Sequence, residues 1–140
     1  MVCINCGSPK TQVSNSRGNV QSLRTWRRRH CANCKTSFTT SERPDLESLY
    51  TVSTSQKSPV VPFSESLLAV SILEVMAYSK HTPETSFWLL KTVIDKVVQR
   101  HRPTEPLSTA AIAAIVHETL HAFDKVASLV YAGRHHIETD

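Results

Sequence analysis

The four cysteines of this chain form two pairs with identical spacing, and this pattern constrains the fold more than any other feature. Cys3 and Cys6 make one Cys-x-x-Cys pair, and Cys31 and Cys34 make the other. Each pair supplies two soft ligands to one side of a tetrahedral ion, and zinc is the usual metal at four thiolates. With all four positions used as ligands, we predict one structural Zn²⁺ per chain. The alternatives are two disulfides, which a reducing compartment disfavours, or unrelated free thiols, which the paired spacing disfavours.

Charge is distributed unevenly along the 140 residues. Residues 1–43 contain eight lysines and arginines and a single acid, Glu42, whereas the remainder is slightly acidic, and the net charge is +4. A basic module is typical of proteins that bind a polyanion, and nucleic acid is the commonest such partner.

The densest basic segment lies between the two cysteine pairs and reads Arg-Thr-Trp-Arg-Arg-Arg-His from Arg24 to His30. Arginines make bidentate contacts with phosphate, and an aromatic ring offers a stacking surface. On a strand, Arg27 and Arg29 would share one face and Arg28 the other. The alternatives are a solvated charge run and a Trp26 that fills the small core of the ribbon. The predicted DNA-binding residues are Arg17, Arg24, Trp26, Arg27, Arg28, Arg29 and Lys35.

The pattern along the chain predicts an α+β protein. We expect a small β-type zinc ribbon over residues 1–45, a linker or front hairpin over residues 46–62, and a mainly α-helical domain over residues 63–140. Helices are predicted to begin at Ser64, at Thr82-Pro83-Glu84 and near Ser108. Apolar residues expected to face the core include Leu67, Leu68, Ile72, Val75 and Met76 in the first helix, Trp88 and Val93 in the second, and Ile112, Val116, Leu120 and Phe123 in the third.

No segment of the sequence looks like a membrane span or a signal peptide. The first Cys-x-x-Cys pair follows directly after Met1 and Val2, and no apolar run reaches the length that a bilayer requires. We therefore expect a cytoplasmic protein without a membrane partner.

Four motifs of the first 43 residues together resemble the N-terminal zinc ribbon of the NrdR transcriptional repressors. They are Cys3-x-x-Cys6-Gly7, Val13-Ser14-Asn15-Ser16-Arg17, Arg27-Arg28-Arg29-His30-Cys31-Ala32-Asn33-Cys34 and Phe38-Thr39-Thr40-Ser41-Glu42-Arg43. Members of that family join a zinc ribbon to an ATP-cone, bind operators ahead of ribonucleotide reductase genes, and respond to ATP or dATP. The resemblance implies double-stranded DNA as the partner. Because one ribbon covers little DNA, we also expect a homo-oligomer, a dimer or larger, formed through the C-terminal domain.

The rest of the chain is similar to an ATP-cone in outline, through Pro62-Phe63, three following helices and the segment Phe123-Asp124-Lys125-Val126-Ala127. It departs from the family at the front hairpin, where a Lys-Arg-x-Gly-like nucleotide-binding sequence is usual. Residues 53–59 contain one lysine, Lys57, and no glycine. Lys57 is the candidate nucleotide-binding residue. The alternative is a domain that serves assembly alone or binds a different nucleotide.

The segment from His117 to His121 is a literal H-E-x-x-H, the motif of zinc peptidases. Both histidines lie far from the core stripe around Val116 and Leu120, so we expect them on one exposed or semi-exposed face. The extended form of the motif has a third histidine, but the chain has Ala127 at that position. We predict a DNA-binding regulator and no enzyme. The alternatives are a zinc-ribbon adaptor for RNA or the transcription machinery, and an H-E-x-x-H metallopeptidase.

Overall fold

The computed structural model describes residues 1–19, 24–54 and 59–137. The chain divides into two units, Met1–Pro44 and Asp45–Asp140, here named the ribbon unit and the body unit. The predicted fold class is confirmed, because a β-strand region is followed by a mostly helical part.

The ribbon unit is a three-stranded antiparallel sheet with the strand order β1-β2-β3. The strands are β1 (Thr11–Asn19), β2 (Arg24–Cys31) and β3 (Ser37–Glu42). A register shift between Val13 and Asn15 places a bulge in β1. The core of this unit is very small and consists of Cys3, Cys31 and Phe38, with Cys34 packed against it. So small an apolar core cannot hold three strands together alone, and a metal is the usual supplement in a domain of this size.

The described residues of the body unit form five helices and a second sheet. Its elements in chain order are α1 (Leu46–Leu49), β4 (Thr51–Ser53), β5 (Val61–Pro62), α2 (Glu65–Met76), α3 (Pro83–Arg100), β6 (Leu107–Ser108), α4 (Thr109–Phe123) and α5 (Lys125–His135). The sheet order is β5-β4-β6, with β4 antiparallel to β5 and parallel to β6. Residues 46–62 therefore include two paired strands, Thr51 lying opposite Pro62 and Val52 opposite Val61.

The helices begin where side chains or proline favour a helix N-terminus. The Ser64 hydroxyl accepts from the Leu67 amide at 3.3 Å, and the Ser108 hydroxyl accepts from the Ala111 amide at 3.0 Å. Pro83 opens α3 directly after Thr82. Asp124, in extended conformation, ends α4 and caps α5. Its carboxylate accepts from the Val126 amide at 2.8 Å and from the Ala127 amide at 3.1 Å, so the third predicted helix is two helices.

Packing corrects the predicted core at several large side chains. Leu68 is buried, but its neighbour Leu67 is 73% exposed, because α2 buries the face that continues through Ile72 and Val75. Phe123 is also exposed. In the first two turns of α3 the buried residues are Ser86 and Leu89, which leaves Phe87 and Trp88 outside the core.

The exposed Trp88 ring is covered in part by a neighbouring cation. The Lys91 ammonium lies 4.5 Å from the ring centroid, within the range of a cation–π contact. No helix among the described residues is long and apolar enough to cross a membrane.

Candidate metal centre and nucleic-acid interface

The fold brings the four cysteine sulfurs together. Their Sγ atoms all lie within 4.8 Å of one another. Cys3 Sγ is 3.5 Å from Cys34 Sγ, and Cys6 Sγ is 3.7 Å from Cys31 Sγ. Four sulfurs at the usual zinc–sulfur distance stand about 3.8 Å apart at the corners of a regular tetrahedron. The donor set therefore fits a tetrahedral zinc ion in both chemistry and size.

The two Cys-x-x-Cys segments form turns of the same kind. The Gly7 amide donates to the Cys3 carbonyl at 2.9 Å, and the Lys35 amide donates to the Cys31 carbonyl at 3.0 Å. Both Gly7 and Lys35 have a positive φ, +67° and +61°. Each turn thus directs two sulfurs toward one point, and the residue after the second cysteine adopts a left-handed conformation to do so.

The thiols titrate differently because their surroundings differ. Hydrogen bonding to Thr36 lowers the pKa of Cys34 to about 5, and the Cys34 sulfur lies 3.3 Å from the Thr36 hydroxyl. The amide of Asn5 lowers the pKa of Cys3, but burial and the nearby thiols of Cys34 and Cys31 outweigh it and raise that pKa to about 11. Four thiolates so close together repel one another, and a divalent cation relieves that repulsion.

The register of the ribbon sheet decides which basic residues share a face. Trp26 lies opposite Arg17 on β1 and Ser41 on β3, while Arg28 lies opposite Asn15 and Thr39. Directly opposed residues point to the same side of a sheet, and side chains alternate along each strand. One side, named the open face, therefore carries Arg17, Arg24, Trp26 and Arg28.

Within the described strands, the open face has no acidic residue. Arg17 and Arg28 are exposed, Arg24 is partly exposed, and Trp26 is 51% exposed. The ring of Trp26 is therefore outside the ribbon core, which argues against the alternative of a purely structural tryptophan. Across the strands, Arg24 faces Asn19, Arg28 faces Asn15 and Thr39, and Arg17 faces Trp26.

The opposite side of the same sheet, named the paired face, holds Arg27 and Arg29 together with Glu42. The Arg27 guanidinium lies 3.1 Å from one Glu42 carboxylate oxygen, and the Arg29 guanidinium lies 3.2 Å from the other. Arg29 also donates from Nε to the Thr40 hydroxyl at 3.2 Å, and its side chain is only 13% exposed. The predicted alternation of Arg27 and Arg29 against Arg28 is confirmed.

Glu42 is the ion-pair partner of two predicted DNA-binding arginines, a role that sequence reasoning did not assign. The sequence could have indicated this role, because Glu42 is the only acid among residues 1–43. Of the other predicted residues, Lys35 lies in the second cysteine turn, outside the sheet. Lys57 lies outside the described residues.

The H-E-x-x-H segment lies on α4, with His117 partly buried and His121 exposed, as predicted. The Lys96 ammonium lies 2.8 Å from Glu118, and the Arg100 guanidinium pairs with both Glu118 carboxylate oxygens. These bonds, from Arg100 first and then Lys96, lower the pKa of Glu118 to about 2, which is the opposite of what a general base requires. In the described part of the chain, the cysteine quartet is the one group of three or more metal-ligating side chains.

Comparison with known proteins gives a consistent family. Residues 1–42 match the family model described as "Transcriptional repressor NrdR-like, N-terminal domain". The Transcriptional repressor NrdR of Halorubrum lacusprofundi is 31% identical over 127 residues, which cover 91% of this chain and 76% of that protein. The protein of the same name from Phenylobacterium zucineum is 31% identical over 132 residues, or 94% and 83% of the two chains. That from Maricaulis maris is 32% identical over 134 residues, or 94% and 80%.

These relatives bear on the whole chain and not on the ribbon alone. They are named as transcriptional repressors. These names agree with the prediction of a regulator and disfavour the metallopeptidase alternative. The similarity extends across the body unit, because the aligned residues cover 91% of this chain, and the predicted resemblance is confirmed. With its ribbon, its cysteine quartet and these relatives, the chain belongs to the NrdR family of transcriptional repressors.

Proposed function

We propose that this protein is a zinc-dependent transcriptional repressor that binds duplex DNA through the open face of its ribbon unit. Zn²⁺ would be held by Cys3, Cys6, Cys31 and Cys34. The metal would supply folding energy and no reaction, because every ligand position is taken by the chain. The names of the relatives support a DNA-acting repressor.

The single observation that carries the proposal is the unequal division of the arginines between the two faces. Arg27 and Arg29 share the charge of Glu42, whereas Arg17, Arg24 and Arg28 stand on a face without an acid among the described strand residues. An unneutralised set of guanidinium groups attracts phosphate at long range and makes bidentate bonds to it on contact. The proposal therefore narrows the predicted DNA-binding set to the open face.

Trp26 gives this face a second kind of contact. Its half-exposed indole stands between the arginines in register, directly opposite Arg17. Apolar side chains beside phosphate-binding groups pack against sugars or partly unstacked bases. We assign the arginines to positioning on the backbone and Trp26 to contact with the groove.

Arg28→Ala and Arg27→Ala form a matched pair for the test, since they are neighbours on β2 that differ in face. Fluorescence anisotropy would follow binding to a duplex from upstream of ribonucleotide reductase genes, at several salt concentrations. Arg28→Ala is expected to weaken binding and to lower the slope of log K against log salt by about 1, the value for one lost phosphate contact. Arg27→Ala is expected to leave that slope unchanged.

Equal effects of the two substitutions, or none from Arg28→Ala, would contradict the assignment of the open face. Tighter binding to single-stranded RNA of the same sequence than to the duplex would favour the adaptor alternative instead. Elemental analysis checks the metal separately: about one zinc per chain is expected from four thiolate ligands, and Cys31→Ser should abolish it.

Self-association is the remaining part of the proposal. A single sheet face covers few phosphates, so useful affinity for an operator would come from joining several ribbons through the body unit. Sedimentation of the full chain with and without DNA tests this. A complex that contains a single chain would contradict the proposed self-association. It would not contradict DNA binding by the open face.

A further inference from the structure

Two neighbouring aromatic side chains of α3 lie outside the core. Phe87 is 50% exposed and Trp88 is 68% exposed. The rotation of α3 is fixed on its other side, where Ser86, Leu89 and Val93 are buried. Apolar side chains scattered singly over a surface are ordinary, but neighbouring aromatic rings form a patch that marks a contact surface.

One acid and one base flank the two aromatic residues in a symmetric order. The sequence from Glu84 to Lys91 is Glu-x-x-Phe-Trp-x-x-Lys, so each charge is three residues from the nearer ring. Residues three, four and seven apart lie on one side of a helix. These four side chains, named the α3 face, therefore lie together, and Glu84 and Lys91 are both exposed.

Both charges of the α3 face are present near neutral pH. A hydrogen bond to the Thr82 side chain lowers the pKa of Glu84, so its carboxylate is ionised. The Lys91 ammonium lies 4.5 Å from the centroid of the Trp88 ring. An ammonium has three donors, so this cation–π contact leaves Lys91 able to bind a carboxylate as well.

The order of residues on the α3 face matches a second copy of the same face. When two α3 helices lie antiparallel about a twofold axis between Phe87 and Trp88, Glu84 of each copy is level with Lys91 of the other. Phe87 of each copy is then level with Trp88 of the other. A twofold axis generates interfaces of this self-complementary kind. A partner with one sign of charge, such as nucleic acid, would attract Lys91 and repel Glu84.

The apolar area of the α3 face sets the strength of such a contact. A fully buried aromatic side chain covers about 150–250 Å². Covering the exposed fractions of Phe87 and Trp88 in two copies would therefore remove roughly 350–600 Å² from water. Stable interfaces begin at about 1,200 Å² in total. The area is enough for a weak, reversible pairing and too small for a permanent dimer.

We propose that two copies of this chain associate through the α3 face, with their α3 helices antiparallel. This inference rests on the self-association in the proposed function and assigns it to a surface. DNA binding by the open face does not depend on it. A weak contact between body units adds to affinity when two ribbon units occupy neighbouring sites on one duplex, because the second binding event is then intramolecular.

Charge reversal tests the antiparallel order. Sedimentation velocity of the full, zinc-loaded chain without DNA, over a range of micromolar concentrations, measures the dissociation constant. Glu84→Lys and Lys91→Glu each place like charges opposite one another at both ends of the pair, so each is expected to weaken association by about three- to tenfold. An equal mixture of the two variants is expected to regain the wild-type constant, because each copy then meets the opposite charge.

Trp88→Ala tests the aromatic part of the α3 face. It is expected to raise the dissociation constant by about tenfold or more, as loss of a central aromatic usually does. Leu129→Ala is the matched control for this change, since Leu129 is 62% exposed on another helix. Lys125→Glu is the control for charge, because Lys125 is an exposed lysine of α5. Both controls are expected to associate as the wild type does.

The outcomes separate this inference from DNA binding. Arg28→Ala is expected to leave association of the free chain unchanged, so a failure of the open face does not affect the result. Far-UV circular dichroism checks that each variant is folded. The proposal is overturned if the wild type stays monomeric at every concentration, if folded Trp88→Ala associates as strongly as the wild type, or if the mixture of charge variants associates no better than either alone.

Discussion

Gly7 and Lys35 occupy equivalent positions in the two cysteine turns, each donating its amide to the carbonyl of the first cysteine of its pair with φ near +60°. Only one of them is glycine. A residue with a side chain in the left-handed conformation costs about 1–2 kcal/mol, so the second turn carries a local cost that the first avoids. The hydrogen bonds and packing of the second turn must offset it.

The first prediction concerns substitutions at these two positions of positive φ. Gly7→Ala should destabilise the zinc-loaded ribbon unit by about 1–2 kcal/mol, because alanine disfavours a positive φ. No atom lies within 4 Å of an added Cβ, so a steric clash should not contribute. Lys35→Gly should stabilise it by about 0.5 kcal/mol, because relief of φ exceeds the entropy cost of glycine. Thermal unfolding at fixed zinc concentration measures both. Lys35→Ala is the control, and a gain equal to that of Lys35→Gly would contradict the argument.

The second prediction concerns the paired face. Glu42→Gln should lower the free energy of unfolding of the ribbon unit by about 1 kcal/mol, because two partly exposed ion pairs are lost together. Arg29→Ala should cost more than Arg27→Ala, since the Arg29 side chain is 13% exposed against 38% and also bonds Thr40. A double-mutant cycle between Glu42 and each arginine isolates the two couplings. Zero coupling for Arg29 would show that its role is not the pairing with Glu42.

The third prediction compares neighbouring leucines of α2. Leu68→Ala should destabilise the body unit by about 2–4 kcal/mol through lost burial and a residual cavity. Leu67→Ala should change stability by less than about 0.5 kcal/mol, as is usual for an exposed position. Chemical denaturation followed by far-UV circular dichroism distinguishes them. Similar losses at both positions would mean that Leu67 is covered in solution, by a second copy or by a ligand.

The fourth prediction uses the depressed pKa of Glu118. Arg100 and Lys96 favour the ionised carboxylate, so the stabilisation is complete above about pH 4.5 and is lost as the pH falls through about 2. Glu118→Gln should therefore lower the melting temperature of the body unit near neutral pH, and the difference from wild type should vanish in that acidic window. Because Glu118 and Arg100 are about half exposed and Lys96 is partly exposed, the loss should stay below about 1 kcal/mol and shrink in high salt. A difference in melting temperature between wild type and Glu118→Gln that grows on acidification would contradict the prediction that the ionised carboxylate is the stabilising form.

Some features were accessible from sequence because they depend on residues close together in the chain. The Cys-x-x-Cys spacing predicts two turns that each direct a pair of sulfurs to one ion. The Ser64, Thr82-Pro83 and Ser108 signals predict helix starts that the structure places at the same residues. The strand alternation of Arg27 and Arg29 against Arg28 is of the same local kind, since side chains alternate with a period of two.

Other features required the tertiary structure, because they depend on which segments lie side by side. Sequence showed one acid among many arginines, but only the pairing of β2 with β3 brings Glu42 to Arg27 and Arg29 and leaves Arg28 on the opposite face. Likewise, the apolar pattern of α2 includes both Leu67 and Leu68, and only the position of the neighbouring helices buries one and leaves the other at a cavity. By itself, then, the sequence determined the two Cys-x-x-Cys turns and the helix starts, which arise from interactions within a few residues. The tertiary structure decided which charges are neutralised and which apolar surfaces stay open, since those interactions join residues distant in the chain.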